Sequence, residues 1–414
     1  RVECFGRVDP VERVGFVGRV DPVGRADESW GQSPAGSTGG QAMTHREQKC
    51  QPWLVKLRDA AVRSGRMLQF MEVCGTHTVS AFRCGLHSLM PENVVLLSGP
   101  GCPVCVTSAG EIDLMISLGR RPNLTLFTYG DMLRVTGSDR QSLATARSEG
   151  ADVRIVYSAL DAVRFATEHP DKEVVFLGVG FETTTPPTAA AVFQAERLGL
   201  KNFSVFASHK RILPAMRALC RSGDVKIDGF LCPGHVSVIV GSQTFWPIVR
   251  EFHLPCVVVG FEDAQIAEGV ARLTELAVKK EQRLENLYPQ AVSRYGNRQA
   301  QNLIQDVFEP AEVSWRGLGK LPDSGLAFRP RYQQFDARQR YGLVERDVPE
   351  PRGCRCGDVI TGRCRPIDCK LFSAVCTPVN PVGPCMVSSE GTCQAWFKYG
   401  QIGGRFARTA GVHA

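Results

Sequence analysis

Between residues 68 and 259 the sequence alternates short apolar runs with longer segments of helical periodicity, and this alternation limits the fold more than any other feature. Runs such as residues 94–97 and 174–177 have the length of buried strands, and the segments between successive runs are long enough for helices. Strands that alternate with helices form parallel sheets. Two successive series of such units therefore predict an α/β fold with two parallel-sheet domains.

The same pattern predicts how the chain is divided. Helical periodicity continues over residues 263–287 and 298–307, whereas the chain beyond Glu309 is rich in Gly, Pro and Cys and has little periodicity. A segment of that kind needs a staple, most naturally a metal. The predicted parts are α/β domain I at 43–148, α/β domain II at 149–265, a helical and cysteine-rich iron–sulfur domain at 266–400, and a tail at 401–414.

Residues 1–42 differ from the rest of the chain. The hexapeptide GRVDPV at 6–11 recurs at 18–23, and a Gly-, Ser- and Gln-rich stretch follows it. Because these residues show no apolar periodicity, we expect them to be disordered or not native to the protein, with Met43 as the true start.

Two cysteine-containing loops follow predicted strands. The apolar residues 94–97 lead into GPGCPVC at 99–105, where Cys102 and Cys105 form a Cys-x-x-Cys frame. Cys74 follows another apolar stretch in the motif MEVCGTHT, three residues before His77. We expect the two loops to lie at the ends of neighbouring strands and to form one site.

Thiols at the Cys-x-x-Cys spacing form a disulfide or share one metal ion, and the thiolate is the reactive species. Two structural interpretations compete, since a lone cysteine is often core filler and a Cys-x-x-Cys is often half of a zinc site. The chain has no second Cys-x-x-Cys, which favours redox or iron chemistry. We expect a helix N-terminus or His77 to raise the thiolate fraction of these thiols, whose ordinary pKa is about 8.5.

A second group of thiols lies near the C-terminus. Seven of the sixteen cysteines fall there, separated by 1, 7, 4, 6, 8 and 7 residues. These broad spacings favour an iron–sulfur cluster held by four thiolates over a zinc site, which prefers paired short spacings. Seven thiols exceed four ligands, so the remainder can include a redox disulfide beside the cluster. The seven are Cys354, Cys356, Cys364, Cys369, Cys376, Cys385 and Cys393.

The loop GVGFETTTP at 178–186 also follows a predicted strand. It begins like a dinucleotide fingerprint, but Thr183 stands where the third glycine should be, so we reject nucleotide binding. Glu182, Thr183 and Thr184 are candidates for ligand or domain contacts, or they cap the following helix.

Three further polar positions follow predicted strands. His235, in the motif CPGHVS, is a candidate proton donor or ligand contact, or else a hydrogen-bonded structural histidine. The run Ser208-His209-Lys210 is expected to add positive potential at the same edge of the sheet. Asp131 is a weaker candidate.

Charge and hydropathy exclude several classes of partner. The net charge of +7 is spread thinly and no basic tract occurs, so nucleic acid is not expected. No apolar run approaches the roughly 18 residues that a membrane helix needs, and we expect no membrane partner. Since cytosolic thiols stay reduced, sixteen cysteines in a cytoplasmic protein indicate metal binding or redox catalysis.

From about Met43 to Tyr399 the chain closely resembles the HypD family of hydrogenase maturation factors. The resemblance rests on the two cysteine loops, on GFETT and CPGHVS, and on three later motifs: WRGLG at 315–319, CTP at 376–378 and GPCMVSSEGTC at 383–393. It implies two α/β domains and a third domain with a [4Fe–4S] cluster. With a HypC-type chaperone, such proteins hold the iron that becomes the Fe(CN)2CO centre of [NiFe]-hydrogenase, and a HypE-type partner donates cyanide.

The resemblance also implies roles for single residues. The essential site thiols of the family fall on Cys74, Cys102 and Cys105, with His77 beside them, and His235 and Glu182 are expected to contact cyanide or its donor. The cluster ligands fall on Cys354, Cys369, Cys376 and Cys393. A disulfide-capable pair falls on Cys356 and Cys385. Cys364 is left over, and the roles of Cys354 and Cys356 are interchangeable because the two are one residue apart.

The predicted function is therefore a cytoplasmic scaffold and redox protein for hydrogenase iron. Soft, anionic sulfur from Cys74 and from a partner suits an iron that carries cyanide and carbonyl, while Cys102 and Cys105 store two electrons as a disulfide. Two alternatives remain open, an iron–sulfur-dependent thiol–disulfide oxidoreductase and a zinc-stabilised interaction platform.

Overall fold

The computed structural model describes residues 45–402 and 405–406, with side chains for residues 49–400. The predictions for residues 1–42, for a start at Met43 and for most of the tail lie outside these ranges. The strands are β1 (Leu68–Glu72), β2 (Val94–Ser98), β3 (Leu124–Thr128), β4 (Asp152–Ile155), β5 (Glu173–Gly180), β6 (Phe203–His209), β7 (Gly229–Pro233), β8 (Cys256–Val259), β9 (Leu284–Asn286), β10 (Phe308–Trp315), β11 (Gly319–Phe328), β12 (Gln401–Ile402) and β13 (Arg405–Phe406). The α-helices are α1 (His45–Ser64), α2 (Gly75–Arg83), α3 (Leu86–Leu89), α4 (Pro103–Val106), α5 (Ala109–Gly119), α6 (Leu143–Ser148), α7 (Ala159–Glu168), α8 (Thr185–Arg197), α9 (Ile212–Ser222), α10 (Gly234–Val240), α11 (Trp246–Phe252), α12 (Asp263–Lys279), α13 (Arg298–Val307), α14 (Ala337–Arg340), α15 (Cys356–Ile360), α16 (Pro384–Val387) and α17 (Thr392–Tyr399). None of the helices in the described ranges is both long enough and apolar enough to cross a bilayer.

Two parallel sheets organise the fold, and this confirms the predicted α/β class. The first sheet has five strands in the order β2-β1-β7-β8-β9, and the second has four in the order β4-β3-β5-β6. Every strand pair within them is parallel. Helices connect the strands, as parallel pairing requires.

Two separate segments of the chain form the first sheet. It forms β1 and β2, leaves to form all four strands of the second sheet, and returns to add β7, β8 and β9. The predicted segments 43–148 and 149–265 therefore each contribute strands to both sheets. The boundary at 148 does not coincide with the division between the sheets, because apolar runs reveal strands without revealing which strands pair.

Alternating side chains along the strands divide the core into layers. Met71 on β1 and Val175 on β5 belong to one large buried cluster between the two sheets. Their neighbours point the other way: Phe70 packs with the α1 and α12 side of the first sheet, and Phe176 packs with the α7 and α8 side of the second. This period of two is what strands buried on both faces require.

The C-terminal third is helical and irregular, as predicted, but it contains two strand features that the sequence pattern missed. β10 and β11 form an antiparallel hairpin with a register shift between Ala311 and Val313. Pro310 in β10 and the Pro-Asp-Ser-Gly run in β11 hide it, since these residues usually mark loops. β9 is a three-residue strand within residues that we expected to be helical, and a run so short carries no period.

Candidate metal and redox site

The two cysteine loops meet at the carboxyl ends of β1 and β2, as predicted. These strands are parallel neighbours with Glu72 opposite Ser98, and the amide of Gly99 donates to the carbonyl of Glu72 at 2.7 Å. The backbone of Gly101 lies so close to the backbone of Cys74 that a Cβ atom on Gly101 would overlap it. Only glycine fits this approach, so the GPG sequence is what brings the two loops together.

Cys102 and Cys105 form a disulfide whose Cα atoms are 5.2 Å apart. Cys102 is the N-cap residue of α4 and Pro103 opens that helix, a position that suits the fixed φ of proline. The exposed fractions are 4% for Cys102 and 0% for Cys105. The pair is therefore closed off from large reaction partners in this state.

Cys74 is the N-cap residue of α2 and is 7% exposed. Burial, reinforced by the carboxylate of Glu390, raises the pKa of its thiol to about 12, although the amides of His77 and Thr76 act in the opposite direction. The amides at the start of α2 thus act on Cys74 in the direction predicted for the site thiols, but desolvation exceeds their effect and the thiol stays protonated. A bound cation would change this balance, since a thiol that coordinates a metal is deprotonated and its proton leaves to a base or to water.

His77 is fully buried beside Cys74. Its Nε2 lies 2.9 Å from the carbonyl oxygen of Gly260, to which it donates as the neutral imidazole, and its Nδ1 has no hydrogen-bond partner among the described residues. Burial lowers the pKa of the ring to about 4. His77 is therefore neutral at physiological pH, with one buried acceptor nitrogen unused.

His235 joins the same edge of the sheet from β7. Its ring stacks on Phe261 with the centroids 3.8 Å apart, and the centroid of Phe261 is 5.1 Å from that of His77. Partial burial lowers the pKa of His235. The strand ends of β1, β7 and β8 thus bring both predicted histidines to one place, with His235 as the exposed member.

Glu182 lies elsewhere, at the end of β5 in the second sheet. The amide of Ile212 donates to its Oε1 at 3.1 Å, and its Oε2 is buried without a hydrogen-bond partner in the described chain. Burial raises the pKa of this carboxyl to about 7. No hydrogen bond found in the described residues joins Glu182 to the Cys74 loop. Thr184, the N-cap residue of α8, donates its hydroxyl to the carbonyl of Phe181 at 3.2 Å.

The expected positive potential from Ser208-His209-Lys210 is absent from the described surface. The Lys210 ammonium is fully buried and lies 2.7 Å from a carboxylate oxygen of Glu111. Burial lowers the pKa of His209 to about 3, so its ring is neutral. The prediction failed because these side chains point into the core, where a counter-charge or deprotonation removes the charge.

Two carboxyl groups beside Cys74 were not among the predicted site residues. The amide of Cys74 donates to Oε2 of Glu72 at 2.9 Å, and burial raises the pKa of Glu72 to about 7. Glu390 covers Gly75 and accepts a hydrogen bond from the Thr76 hydroxyl at 2.6 Å. The position of Glu72, an acidic residue at the end of an apolar run, could have indicated that it belongs to the site. Glu390 lies 314 residues from Thr76 in the chain and gave no such signal.

Asp131, the weaker candidate, holds the segment that carries Glu390. Its Oδ2 accepts hydrogen bonds from the hydroxyl of Ser388 at 3.0 Å, the amide of Ser389 at 3.0 Å and the hydroxyl of Ser389 at 3.1 Å. Its observed contacts are thus with the C-terminal segment.

Six of the seven C-terminal cysteines line one cavity, and Cys364 is not among its lining residues. Within the cavity, the thiol of Cys356 is within hydrogen-bonding reach of both Cys354 and Cys385. The Sγ atom of Cys385 in turn accepts a hydrogen bond from the amide of Cys393 at 3.3 Å. We call Cys354, Cys356, Cys385 and Cys393 the thiol row. The six lining cysteines are Cys354, Cys356, Cys369, Cys376, Cys385 and Cys393.

The donor chemistry of this cavity fits an iron–sulfur cluster. In the described residues no three Cys, His, Asp or Glu side chains already have the arrangement of a metal site. The cavity nevertheless gathers six soft sulfur donors, and a Cβ on Gly383 would lie 2.6 Å from Sγ of Cys354, so a glycine keeps the space beside this sulfur open. Cys356 and Cys385 are the most buried of the six, at 3% and 1% exposed.

The two sulfur groups belong to one packed core. The short helix α4, which contains Cys105, packs against α15 and α16, which contain Cys356 and Cys385. All four cysteines of the two predicted pairs fall in the buried cluster between the sheets. The disulfide and the C-terminal cavity are therefore neighbours in space although they are more than 200 residues apart in the chain.

Comparison with known proteins shows which family this chain resembles. The family model HypD, described as "Hydrogenase formation hypA family", matches residues 48–400. The hydrogenase maturation factor HypD of Azotobacter vinelandii is 46% identical over 342 residues, which cover 81% of this chain and 90% of that protein. HypD of Escherichia coli K12 is 44% identical over 337 residues, with the same coverage of 81% and 90%. HypD1 of Bradyrhizobium diazoefficiens is 44% identical over 370 residues, covering 88% of this chain and 97% of the relative. The chain belongs to the HypD family of hydrogenase maturation factors.

Proposed function

We propose that this protein is a cytoplasmic scaffold on which the Fe(CN)2CO centre of [NiFe]-hydrogenase is assembled. The observation that carries the proposal is the meeting of Cys74 with the Cys102–Cys105 disulfide at one sheet edge, in the same core as the C-terminal thiols. The cargo is an iron ion that acquires cyanide and carbonyl ligands. A HypC-type chaperone supplies a second thiolate, and a HypE-type partner donates cyanide.

Cys74 is the proposed protein ligand of this iron. Without a metal its thiol is protonated, and its proton leaves when the metal binds. The neighbouring carboxyl of Glu72, with a pKa of about 7, is a suitable acceptor for that proton. His77 stays neutral and offers its free Nδ1 as a hydrogen-bond acceptor, and His235 and the more distant Glu182 are proposed contacts for cyanide or its donor.

The disulfide is the proposed two-electron store. Its reduction breaks the Cys102–Cys105 bond, takes up two electrons and two protons, and leaves two thiols. Cys354, Cys369, Cys376 and Cys393 would hold a [4Fe–4S] cluster, with Cys356 and Cys385 as a nearby redox pair. When bound, such a cluster supplies electrons one at a time.

The experiment replaces Cys74 by Ala in cells that make an active [NiFe]-hydrogenase. We expect hydrogenase activity to fall to the level of a deletion strain, because the iron loses a ligand, while the iron–sulfur absorbance of the purified variant stays unchanged. Cys84→Ser, at the other end of α2, is the matched control and should mature hydrogenase normally. Retained maturation with Cys74→Ala contradicts the proposed role of Cys74.

A second candidate function is a thiol–disulfide oxidoreductase, which the closed Cys-x-x-Cys disulfide favours. Against it, Cys102 and Cys105 are buried, and a protein disulfide would need direct access to one sulfur. An infrared spectrum of the protein purified anaerobically with its small partner separates the two functions. Cyanide and carbonyl stretches support the scaffold, and their absence together with turnover of a protein disulfide supports the oxidoreductase. Zinc without iron or sulfide in the same sample would indicate a zinc-stabilised platform.

A further inference from the structure

Two exposed loops beside the first sheet present a tyrosine that is covered by two arginines. The loops are residues 241–245, after α10, and residues 287–297, between β9 and α13. Tyr295 in the second loop is 51% exposed. The guanidinium groups of Arg294 and Arg298 lie over its ring, 5.3 and 5.2 Å from the ring centroid. We call Gln243, Arg294, Tyr295 and Arg298 the arginine platform.

The backbone of the two loops is fixed although the side chains of the platform are exposed. The amide of Gln243 donates to the carbonyl of Arg294 at 3.0 Å. Gly241 and Gly296 have φ angles of 83° and 70°, and a Cβ on Gly241 would lie 2.5 Å from the amide nitrogen of Gly296. Glycine at both positions lets the loops approach this closely. The platform is therefore preorganised, which lowers the entropy cost of binding a partner.

Both arginines of the platform keep their positive charge. The Nε of Arg294 donates to Oε1 of Gln243 at 3.2 Å, and the Nη1 of Arg298 donates to Oε1 of Gln301 at 3.1 Å. Neither guanidinium forms an ion pair with a carboxylate of the described residues. A neutral amide oxygen fixes the direction of a guanidinium without neutralising it, so both groups remain able to bind an anion.

The composition of the platform is typical of a protein interface. Tyr, Trp and Arg are the residues on which the binding energy of such interfaces concentrates. Trp246, three residues after Gln243, is 42% exposed and adds apolar surface beside the charged groups. A partner that combines carboxylates with apolar side chains therefore matches this surface.

Two other occupants fit the platform less well. A second copy of the chain is disfavoured because each copy has a net charge of +7 and would bring another positive platform. Single-stranded nucleic acid binds by stacking its bases on aromatic rings along a basic groove. Here guanidinium groups already lie over the ring of Tyr295, and no basic tract occurs in the sequence.

The loop that carries the platform also packs against the candidate metal and redox site. Tyr288, near the start of this loop, contacts Phe261 edge-on, with the ring centroids 6.2 Å apart. Phe261 in turn stacks on His235, the exposed histidine of the site. A protein that binds to the platform is therefore held on a loop that reaches the Cys74 edge of the sheet.

We propose that the arginine platform is a docking surface for an acidic segment of a partner protein. Carboxylates of this segment pair with Arg294 and Arg298, and its apolar side chains contact Tyr295 and Trp246. The inference goes beyond the proposed function, which assigns no docking surface to any partner, and it does not depend on iron binding.

The test measures binding of a fluorescein-labelled peptide to the full chain by fluorescence anisotropy. The peptide repeats the units Glu-Glu-Leu and Asp-Asp-Leu, and a version with Gln and Asn in place of the acids is its uncharged counterpart. We expect the acidic peptide to bind, and its affinity to fall about tenfold in the double variant Arg294→Glu/Arg298→Glu, because the charge of the platform is reversed. The uncharged peptide should bind more weakly to the wild type than the acidic one does.

The matched control is the double variant Arg58→Glu/Arg63→Glu. Both residues are exposed on α1, and the two substitutions change the net charge by the same amount as those in the platform. We expect the affinity of this control for the acidic peptide to stay within about twofold of the wild type, because ions in solution screen charges far from the binding surface.

The aromatic ring is tested separately. Tyr295→Ala should weaken binding about threefold because the anchor is lost, whereas Tyr295→Phe keeps the ring under the guanidinium groups and should bind like the wild type. If the double platform variant does not fold, as judged by circular dichroism, the comparison of Tyr295→Ala with Tyr295→Phe decides alone, and equal affinities overturn the inference.

Three further results overturn the inference. Equal losses of affinity in the two double variants mean that binding depends on net charge alone. Absence of peptide binding to the wild type, or tighter binding of a labelled oligothymidylate than of the acidic peptide, means that the occupant is not an acidic protein segment. Each of these results leaves the proposed function in place, since the Cys74→Ala experiment tests that function by itself.

Discussion

Glu182 shows what burial does to a single carboxyl group. With one oxygen bonded to the Ile212 amide and the other unpartnered, the group is favoured in its protonated form, and its pKa is about 7. The folded chain therefore binds this proton more tightly than the unfolded chain does. The stability that results is fully present below the ordinary carboxyl pKa and is lost as the pH rises through about 7.

We predict that Glu182→Gln, which mimics the neutral carboxyl, removes this pH dependence. Between pH 5 and pH 8 the wild type should lose about 2 to 3 kcal/mol of unfolding free energy relative to the variant, since one pKa unit corresponds to about 1.4 kcal/mol. Urea denaturation of both proteins at the two pH values measures the difference. The exposed Glu168→Gln variant is the control, and an equal slope in wild type and Glu182→Gln contradicts the prediction.

At the scale of single residues, the sequence motifs predicted where the functional side chains lie better than they predicted whether those side chains are charged. The positions of the Cys74 and Cys102 loops after two apolar runs were sufficient to expect them at one sheet edge, and the structure adds the close approach at Gly101. The pKa of Cys74 was not predictable, since it depends on burial and on Glu390, a residue from the other end of the chain. Local sequence shows which ionisable groups are present, but it does not show how deeply the fold buries each of them.

At the scale of elements, one buried charge cluster ties α5 to its neighbours. The carboxylate of Glu111, near the start of α5, pairs with the ammonium of Lys210 just after β6 and with Arg338 on α14. The Ser208 hydroxyl donates to the same carboxylate at 3.0 Å. The single carboxylate of Glu111 therefore balances the charges of both Lys210 and Arg338, and it joins α5 to β6 and α14.

We predict that Glu111→Gln destabilises the protein by about 3 to 5 kcal/mol, because Lys210 is then left buried without a counter-charge. Adding Lys210→Met to that variant should restore part of the loss, since the uncompensated ammonium disappears. Chemical denaturation of the two single variants and the double variant gives the coupling energy. Simple additivity of the two single effects would contradict this account of the cluster.

Helices were predictable from the sequence where apolar residues recur at the helical period over several turns. The helices over 109–119, 159–168 and 298–307 match the expected segments closely. The hairpin of β10 and β11 was missed because its strands contain the residues that normally end strands. Strand pairing was also beyond reach, since β2 and β3 follow each other in the chain but join different sheets.

At the scale of the whole molecule, residues 388–390 connect the C-terminal region to the Cys74 loop. Asp131 holds Ser388 and Ser389, and Glu390 holds Thr76 on the helix that Cys74 caps. We predict that Asp131→Ala speeds hydrogen exchange of the 388–391 amides about tenfold or more, because three hydrogen bonds to a carboxylate are lost. Exchange measured by mass spectrometry tests this. Asp139→Ala, an exposed neighbour, should leave the rates unchanged, and equal rates in both variants contradict the prediction.

The cavity of six cysteines supports a second prediction at this scale. Cys376→Ser should abolish bound iron and acid-labile sulfide and lower the stability of the C-terminal region, since a proposed ligand is lost. Cys364→Ser is the matched control, because Cys364 does not line the cavity. Iron and sulfide per chain after anaerobic purification measure the effect. Equal loss in both variants would contradict the assignment of ligands.

The first sheet is formed by two segments that are separated in the chain by the whole second sheet, and this order has a consequence during synthesis. Cys74 emerges from the ribosome before the strands β7 and β8 that surround it, which follow, together with Gly260 and Phe261, more than 150 residues later. The surroundings of Cys74, including the carbonyl group that accepts a hydrogen bond from His77, are therefore completed only after the whole second sheet has been made. A metal that binds through Cys74 would find these surroundings complete only in a chain that has been made at least as far as Phe261.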